Sequence, residues 1–298
     1  MKEQIIKARN VSRMPIWIRQ QLGDGVDYGR THQAVQQNQL HTVCQEARCP
    51  NRGECWSRGT ATFMLLGDTC TRACGFCSVK TGRPAMLNTD EPAQVTEAIK
   101  AMDLNYVVLT SVNRDDLADG GAGIFAETYT LLKEYNPQIG IEFLTPDFQQ
   151  GQQQAVDRVM QAVTPYIEDD KTALVWGHNI ETVPRLYQKA RKGSKYQRSL
   201  DLLHLASPQQ GVETKSAIML GLGETYDEVI EVLQDLHAVG VSRIAIGQYL
   251  RPTINHLPVE SYIHPTEFTA LQQQAEEIGF SWVKAGPMVR SSYHADDE

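Results

Sequence analysis

The sequence predicts an α/β protein built as a partial (β/α)6 TIM-like barrel with N- and C-terminal extensions. From about residue 61 onward, short β-rich segments alternate with amphipathic helical segments, a pattern typical of parallel βα units. Six such units fit into about 190 residues, fewer than a closed barrel of this kind contains. Polar residues also gather at the ends of the β-rich segments, where such barrels place their active sites. An incomplete barrel leaves a lateral opening wide enough for a macromolecular substrate.

The 298 residues divide into three predicted parts: an extension over 1–60, the barrel over 61–255 and a second extension over 256–298. The six predicted strands occupy residues 62–66, 106–112, 139–144, 173–176, 216–222 and 241–249. Between them, apolar residues recur every three or four positions, as Val95, Ile99 and Met102 do, which predicts helices packed on a core. The second extension carries one more helical pattern and a strand-like segment at 280–283. We expect both extensions to cover the ends of the barrel.

The composition argues against several classes of partner. The formal net charge is −8, from 36 acidic and 28 basic residues, and no basic run exceeds the scattered Arg191, Lys192, Lys195 and Arg198. A nucleic-acid partner is therefore not expected, and this basic group is either a solvated helix end or a patch for an acidic protein or a phosphate. The sequence has no run of 18 apolar residues and no N-terminal signal pattern. We expect a cytoplasmic protein without a membrane partner.

The cysteines are the most specific feature of the chain. All six lie within 34 residues and form two triplets of different spacing, Cys44-x4-Cys49-x5-Cys55 and Cys70-x3-Cys74-x2-Cys77. Each triplet offers three thiolates, whereas structural zinc sites and ordinary electron-transfer iron-sulfur clusters use four protein ligands. The missing ligand indicates metal centres that bind something else. Two alternatives stay open: disulfides, which suit small secreted chains, and zinc sites completed by a histidine such as His41.

The second triplet resembles the signature of the radical S-adenosylmethionine superfamily, since it follows the first predicted strand and has Phe76 before its last cysteine. In that superfamily, three thiolates hold a 4Fe-4S cluster, and S-adenosylmethionine chelates the fourth iron through its amino and carboxylate groups. The resemblance implies that Cys70, Cys74 and Cys77 hold such a cluster and promote reductive cleavage of S-adenosylmethionine. It also implies a cofactor pocket at the strand ends, for which the expected residues are Thr110, Ser111, Glu142, Asn179, Lys215 and Glu224.

Within that superfamily, the upstream triplet and the C-terminal Arg290-Ser291-Ser292-Tyr293 resemble the lipoyl synthase family. Further matching segments cover nearly the whole chain, at 62–64, 67–77, 109–117, 119–122, 178–183 and 247–250. The usual family pattern is altered at Trp176-Gly177, Ala217 and Arg251, which flank the expected pocket and are not cluster ligands. The resemblance implies insertion of sulfur at carbons 6 and 8 of an octanoyl chain attached to a lysine of a carrier protein.

The resemblance also assigns roles to the remaining cysteines. Cys44, Cys49 and Cys55 would hold an auxiliary 4Fe-4S cluster that is consumed as the sulfur donor, and Ser292, in preference to Ser291, would complete it. A hard serine oxygen is a poor partner for a soft iron-sulfide site, so it would dissociate readily. An aliphatic C–H bond has no acidic proton and no leaving group, so a cofactor-derived radical must open it. We expect both extensions to close over the barrel mouth and shield that radical from water.

The implied partners are octanoylated lipoyl-domain or glycine-cleavage H-protein carriers and a ferredoxin or flavodoxin reductant. Rival hypotheses are another radical sulfur-inserting enzyme, of the biotin-synthase or methylthiotransferase type, and a non-catalytic iron-sulfur carrier or zinc-binding interaction protein. The first is disfavoured because all six cysteines precede the bulk of the barrel and the chain is acidic. The second is distinguished by iron content and by cleavage of S-adenosylmethionine.

Overall fold

The computed structural model describes residues 14–18, 41–46, 49, 51–57, 62–169, 171–293 and 295. Its main sheet has eight strands in the order β1-β2-β5-β6-β7-β8-β9-β10, and β3 pairs only with β4. The strands are β1 (His41–Thr42), β2 (Thr62–Leu65), β3 (Thr69–Cys70), β4 (Lys80–Thr81), β5 (Tyr106–Ser111), β6 (Gly140–Leu144), β7 (Leu174–Gly177), β8 (Val212–Leu220), β9 (Arg243–Gln248) and β10 (Trp282–Gly286). All neighbours from β2 to β10 run parallel, whereas β1 is antiparallel to β2.

Most of the helices fill the connections between the parallel strands, and the first two lie between the antiparallel strands β1 and β2. They are α1 (Val43–Glu46), α2 (Arg52–Ser57), α3 (Glu91–Met102), α4 (Ala122–Tyr135), α5 (Gln152–Val163), α6 (Tyr187–Ala190), α7 (Tyr196–Ala206), α8 (Tyr226–Ala238) and α9 (Pro265–Ile278). Local chemistry explains their ends: Thr225 and Glu228 form a capping box at the start of α8, and Gly279 ends α9 with a left-handed φ of 119°. Across the described ranges, no helix combines the length and apolar character needed to span a bilayer.

The predicted partial barrel is confirmed: each of its six predicted strands coincides with an observed parallel strand, and the sheet is open. The strand-like segment at 280–283 has a larger role than a cover for the barrel end. As β10 it adds a seventh parallel strand, paired with β9 from Trp282 opposite Arg243 to Gly286 opposite Gly247. Its side chains are only partly buried, so the local apolar pattern was too weak to predict a sheet strand.

The core lies between the sheet and its helices in two main clusters. One joins β2, β5 and β6 to α4 and α5, where the rings of Phe125 and Phe143 meet edge to face at 4.9 Å. The other joins β8 and β9 to α8 and α9 through residues such as Ile246 and Leu233. These apolar faces fix the strands side by side, so their carboxyl ends meet along one edge of the sheet.

Candidate active site

A cavity of about 440 Å³ opens at the carboxyl ends of the parallel strands. Three of its lining residues are the second cysteine triplet, Cys70, Cys74 and Cys77. Cys49 of the first triplet and both C-terminal serines, Ser291 and Ser292, line the same cavity. Three parts of the chain that are far apart in sequence therefore share one site.

The loop of the second triplet begins at a sharp turn after β2. Leu66 and Gly67 both have positive φ, of 69° and 86°, and their N–H groups donate to the carboxylate of Glu91 at 2.6 and 3.2 Å. The backbone N–H groups of Arg72 and Asn113 then donate to Cys70 Sγ at 3.4 and 3.3 Å. Such N–H donors to a cluster sulfur stabilise its reduced, more negative form.

Arg72 anchors this loop to the strand ends. Its guanidinium uses five N–H donors: two to Asp115 at 2.9 and 2.8 Å, two to Asp147 at 2.7 Å each, and one to Ser194 at 3.0 Å. Asp147 is fully buried and also receives Arg198 Nε at 2.8 Å. Burial tends to raise the pKa of Asp147, but the hydrogen bonds and charge of Arg72 outweigh it and lower the pKa to about 2.

Tight packing holds the other end of the loop. Gly75 exchanges backbone hydrogen bonds with Ala190 and Leu257, both at 2.9 Å, and a Cβ at Gly75 would lie 2.9 Å from Leu257 Cγ. Burial raises the pKa of Cys74 to about 11 and that of Cys77 to about 12. Thiols in such surroundings ionise when a metal replaces the proton, so the loop is suited to a metal centre and not to a free reactive thiolate.

Three of the six expected cofactor-pocket residues line the cavity: Thr110, Ser111 and Asn179. Thr110 and Ser111 end β5, and the Oγ of Ser111 is buried with no hydrogen-bond partner among the described residues. A buried, unpaired hydroxyl on a cavity wall is costly unless a ligand or water bonds to it. Its position fits a polar cofactor.

The other three expected pocket residues lie outside the cavity lining, and each is bonded to another side chain or to the backbone. Glu142 and Lys215 form a buried ion pair at 2.7 Å in the middle of the sheet, and Lys215 Nζ lies 4.7 Å from the centroid of the Trp282 ring. Glu224 accepts the backbone N–H groups of Gly221 and Leu222 at 2.5 and 3.0 Å. Its carboxylate therefore shapes the turn after β8.

Arg191 and Glu181 also line the cavity, and neither is among the six expected cofactor-pocket residues. Arg191 Nη1 donates to the backbone oxygen of Asn179 and the hydroxyl of Tyr187, both at 2.8 Å, while its buried Nε has no partner in the described part of the chain. Glu181 has a positive φ of 69° and receives Asn179 Nδ2 at 3.1 Å. Burial raises the pKa of Glu181, which the charge of Arg191 opposes. The cavity thus presents a buried cation and a partly buried carboxyl group.

The four basic residues between 191 and 198 do not form one exposed charged patch. Arg191 is buried in the cavity wall and Arg198 pairs with Asp147, so only Lys192 and Lys195 of the four remain exposed. Arg191 directly follows the buried residues Tyr187 and Ala190 of α6, which was a sequence signal for the burial of its side chain. Its burial depends on how α6 packs against the core cluster of β8 and β9, which the sequence alone does not give.

His178 connects Arg191 to the strand ends. Its Nδ1 lies 2.8 Å from the carbonyl oxygen of Thr145, an acceptor only, so Nδ1 carries the proton. In the neutral ring, Nε2 then accepts from the hydroxyl of Ser199 at 3.0 Å. Tyr187 and Arg191 also bond to that hydroxyl, at 3.0 and 3.2 Å. This buried network fixes the side chains behind the cavity.

Acidification is expected to destabilise the protein through His178. Burial lowers its pKa from 6.5 to about 4, so the unfolded chain takes up a proton at a higher pH than the folded chain does. The stabilisation from the neutral ring is complete above about pH 6.5 and is lost as the pH falls towards 4. Urea denaturation of the metal-free protein should show a loss of roughly 2 kcal/mol between pH 7 and pH 5. The His178→Gln variant should lack this part of the loss; an unchanged pH profile would contradict the assignment.

The first triplet lies beside β2. Because β1 pairs with β2, with Thr42 opposite Phe63, the chain enters this segment from the edge of the main sheet. Cys44 is buried in the core cluster of β2 and β5, Cys55 packs against that cluster, and Cys49 faces the cavity. None of the six described cysteines forms a disulfide, so the disulfide alternative has no support.

The cysteine arrangement is compatible with multi-iron clusters. Among the described residues, no three His, Cys, Asp or Glu side chains converge tightly enough to hold one metal ion. A 4Fe-4S cluster does not require that convergence, since each thiolate bonds to a different iron. Together with the unpaired buried atoms of Ser111 and Arg191, this arrangement fits a cluster and a polar cofactor in one cavity.

Comparisons with known proteins identify the family of the chain. The Radical SAM superfamily profile matches residues 64–236. A lipoyl synthase of Rubrobacter xylanophilus is 48% identical over 285 residues, covering 95% of this chain and 86% of that protein. A lipoyl synthase of Acidovorax ebreus is 47% identical over 295 residues, covering 98% of this chain and 88% of that protein.

Solved structures share the fold at low sequence identity. Methylornithine synthase matches with a TM-score of 0.52 and 13% identity, over 90% of this chain and 88% of that chain. Streptococcus suis SuiB bound to precursor peptide SuiA matches with a TM-score of 0.54 and 10% identity, over 75% and 48%. The profile covers the cysteine loop and most of the parallel strands, and the curated relatives extend over nearly the whole chain. The chain belongs to the lipoyl synthase family of radical S-adenosylmethionine enzymes, which implies a 4Fe-4S cluster and S-adenosylmethionine as cofactors.

Proposed function

We propose that the protein inserts sulfur at carbons 6 and 8 of an octanoyl chain carried on a lysine of a lipoyl-domain or H-protein carrier. In this proposal, Cys70, Cys74 and Cys77 hold the cluster that binds S-adenosylmethionine. Cys44, Cys49, Cys55 and Ser292 hold a second 4Fe-4S cluster that donates the sulfur. The observation that carries the proposal is the single cavity lined by cysteines of both triplets and by the C-terminal serines.

The cavity residues suit a zwitterionic sulfonium cofactor. When bound, S-adenosylmethionine supplies the radical that removes hydrogen from an unactivated carbon. We assign Arg191 to its carboxylate, since a buried guanidinium with an unpaired Nε requires an anionic or acceptor partner. Glu181 faces the same space and balances the positive charges, while Ser111 and Asn179 offer hydrogen bonds to the polar nucleoside part. Thr110 is already bonded to Leu144 O at 2.9 Å and shapes the wall.

The apolar part of the cavity suits an alkyl chain. Ala217, Ala245 and Val289 form a small buried cluster, and all three line the cavity. Met14 of the N-terminal extension and Ser292 of the C-terminal extension line it as well. Placing an octanoyl chain between the two cysteine triplets would keep water from the radical, which would otherwise be quenched.

The remaining partners follow from the chemistry. Reductive cleavage needs one electron at a time, so we propose a ferredoxin or flavodoxin as donor. Six cysteines in the reduced state suit a reducing compartment, and we therefore propose a cytoplasmic location.

Isotope labelling tests the reaction and the sulfur source together. The protein is reconstituted anaerobically with iron and ³⁴S-sulfide, freed of excess sulfide, and incubated with S-adenosylmethionine, a reductant and an octanoyl-lysyl peptide. Mass spectrometry should show mono- and dithiolated peptide carrying ³⁴S, from a protein with about eight irons per chain. A peptide without added sulfur would refute the activity. A thiolated peptide lacking ³⁴S would refute the auxiliary cluster as the donor.

A further inference from the structure

The C-terminal serines are carried by two consecutive turns that follow β10. The N–H of Val289 donates to Gly286 O at 3.1 Å, and the N–H of Tyr293 donates to Arg290 O at 3.0 Å. These turns bring the chain back over the end of β9 and place Ser291 and Ser292 on the cavity wall. The serine-bearing turn, residues 288–293, is therefore not part of a helix or a strand, and its position depends on contacts with the rest of the molecule.

The turn packs against β9 without room for a side chain between them. A Cβ at Gly247 would lie 2.1 Å from the carbonyl oxygen of Val289 and 3.2 Å from Arg290 Nη1. A backbone carbonyl cannot swing aside as a flexible side chain can, so only glycine at this position permits the observed approach.

Two side-chain hydrogen bonds join the turn to the segment of the first cysteine triplet. Asn51 stands between Cys49 and Cys55 in the sequence, and its side chain is buried. Its Nδ2 donates to the carbonyl oxygen of Met288 at 2.6 Å. Tyr293 donates its hydroxyl to Glu54 Oε1 at 2.9 Å. Glu54 directly precedes Cys55, so both bonds reach the stretch of chain that carries the proposed auxiliary-cluster ligands.

The ring of Tyr293 strengthens this connection. It packs against the cluster of Ala217, Ala245 and Val289 on the inner side of β8 and β9. The side chain thus holds the turn to the sheet with its ring and to Glu54 with its hydroxyl. Met288 and Tyr293 are the two ends of the serine-bearing turn, so the two hydrogen bonds secure it on both sides of Ser292.

We propose that Asn51, Glu54 and Tyr293 are positioning residues that form a clamp between the serine-bearing turn and the first cysteine triplet. The proposal rests on the proposed function, in which Ser292 is a weak ligand that leaves the auxiliary cluster as sulfur is removed. A ligand that dissociates must stay close if it is to bind again, and a tethered group keeps a high effective concentration. The clamp supplies this tether. Its two hydrogen bonds hold the turn at Met288 and Tyr293 and do not involve Ser292, so they persist when Ser292 leaves the cluster.

Amide hydrogen exchange on the metal-free protein tests the clamp without any activity. The variants Tyr293→Phe and Asn51→Leu each remove one donor at nearly unchanged side-chain size. Each should speed exchange of the Val289 and Tyr293 amides about fivefold, and the double variant more, since one hydrogen bond is lost per change. The matched control is Tyr196→Phe, which removes a hydroxyl bonded to Asp235 at 2.9 Å; neither residue lines the cavity, and the variant should leave these amides unchanged. Wild-type exchange in the double variant would overturn the clamp.

The reconstituted protein tests whether the clamp positions the serine. Tyr293→Phe should keep about eight irons and show S-adenosylmethionine cleavage within about twofold of wild type. Its auxiliary cluster should give a changed Mössbauer spectrum, and the ratio of monothiolated to dithiolated peptide should rise about fivefold.

The acceptor side of the clamp is tested at Glu54. Glu54→Gln keeps an acceptor for Tyr293 and should show the wild-type spectrum and ratio, whereas Glu54→Leu should behave like Tyr293→Phe. An unchanged spectrum in Tyr293→Phe would overturn the positioning role. Failure of the wild type to thiolate any peptide would instead refute the proposed function, and the exchange result would still decide the clamp.

Discussion

The Arg72→Leu variant is expected to lose about 3–5 kcal/mol of unfolding free energy, because it removes the cation that faces two carboxylates. Asp147 is completely buried and would keep only Arg198, while Asp115 would lose both of its bonds to the guanidinium. Arg72 lies between Cys70 and Cys74, so the loop that holds the proposed cluster would lose its anchor as well. Urea denaturation of the metal-free protein measures the first effect, and iron content after reconstitution measures the second.

Arg185→Leu is the matched control for Arg72→Leu. Arg185 also makes a two-pronged contact with a carboxylate, donating to Glu228 at 2.7 and 2.9 Å, but its side chain is largely exposed. Exposed pairs contribute little, so this variant should lose less than about 1 kcal/mol. Arg72→Lys should fall between the two, since it keeps the charge but not the fork of donors. Equal losses in Arg72→Leu and Arg185→Leu would contradict the anchoring role.

Cys74→Ala and Cys49→Ala are expected to separate the two proposed clusters, although both residues line the same cavity. Cys74→Ala should lower formation of 5′-deoxyadenosine by at least about 1,000-fold, because the cluster that cleaves the cofactor loses a ligand. Cys49→Ala should leave that reaction within about threefold of wild type while abolishing thiolation of the octanoyl peptide. Each variant should retain about four irons per chain.

Chromatography of 5′-deoxyadenosine and mass spectrometry of the peptide give the two readouts for these cysteine variants in one assay. The same substitution is made in the same cavity in both variants, so a general loss of folding would lower both products alike. If Cys49→Ala abolished both products, the triplets would not have separate roles. If Cys74→Ala retained cofactor cleavage, the assignment of the second triplet would be wrong.

The fold was predictable because its determinants are local. Each parallel strand is a short apolar or β-branched run, and each intervening helix repeats its apolar residues every three or four positions. β10 was underestimated because Trp282 and its neighbours are only partly buried. Its place beside β9 follows from the pairing of whole strands, which no short pattern encodes.

The candidate site was predictable to different degrees. Thr110, Ser111 and Asn179 stand directly at strand ends, so their place in the sequence put them near the cavity. Glu142 and Lys215 occupy the sheet interior and neutralise each other there. Sequence position identifies a strand but gives neither the depth along the sheet nor the partner that a buried charge will find.

The sequence alone predicted the ligand chemistry, because the spacing of thiolates within each cysteine triplet is a short-range property of the chain. The open parallel sheet likewise followed from local periodicity. Only the tertiary structure decided that Cys49, the second triplet and Ser292 share one cavity, that Arg72 is locked between Asp115 and Asp147, and that Tyr293 reaches Glu54. Those contacts join residues tens to hundreds of positions apart, and they exist because packing of the strands and helices brings the residues together.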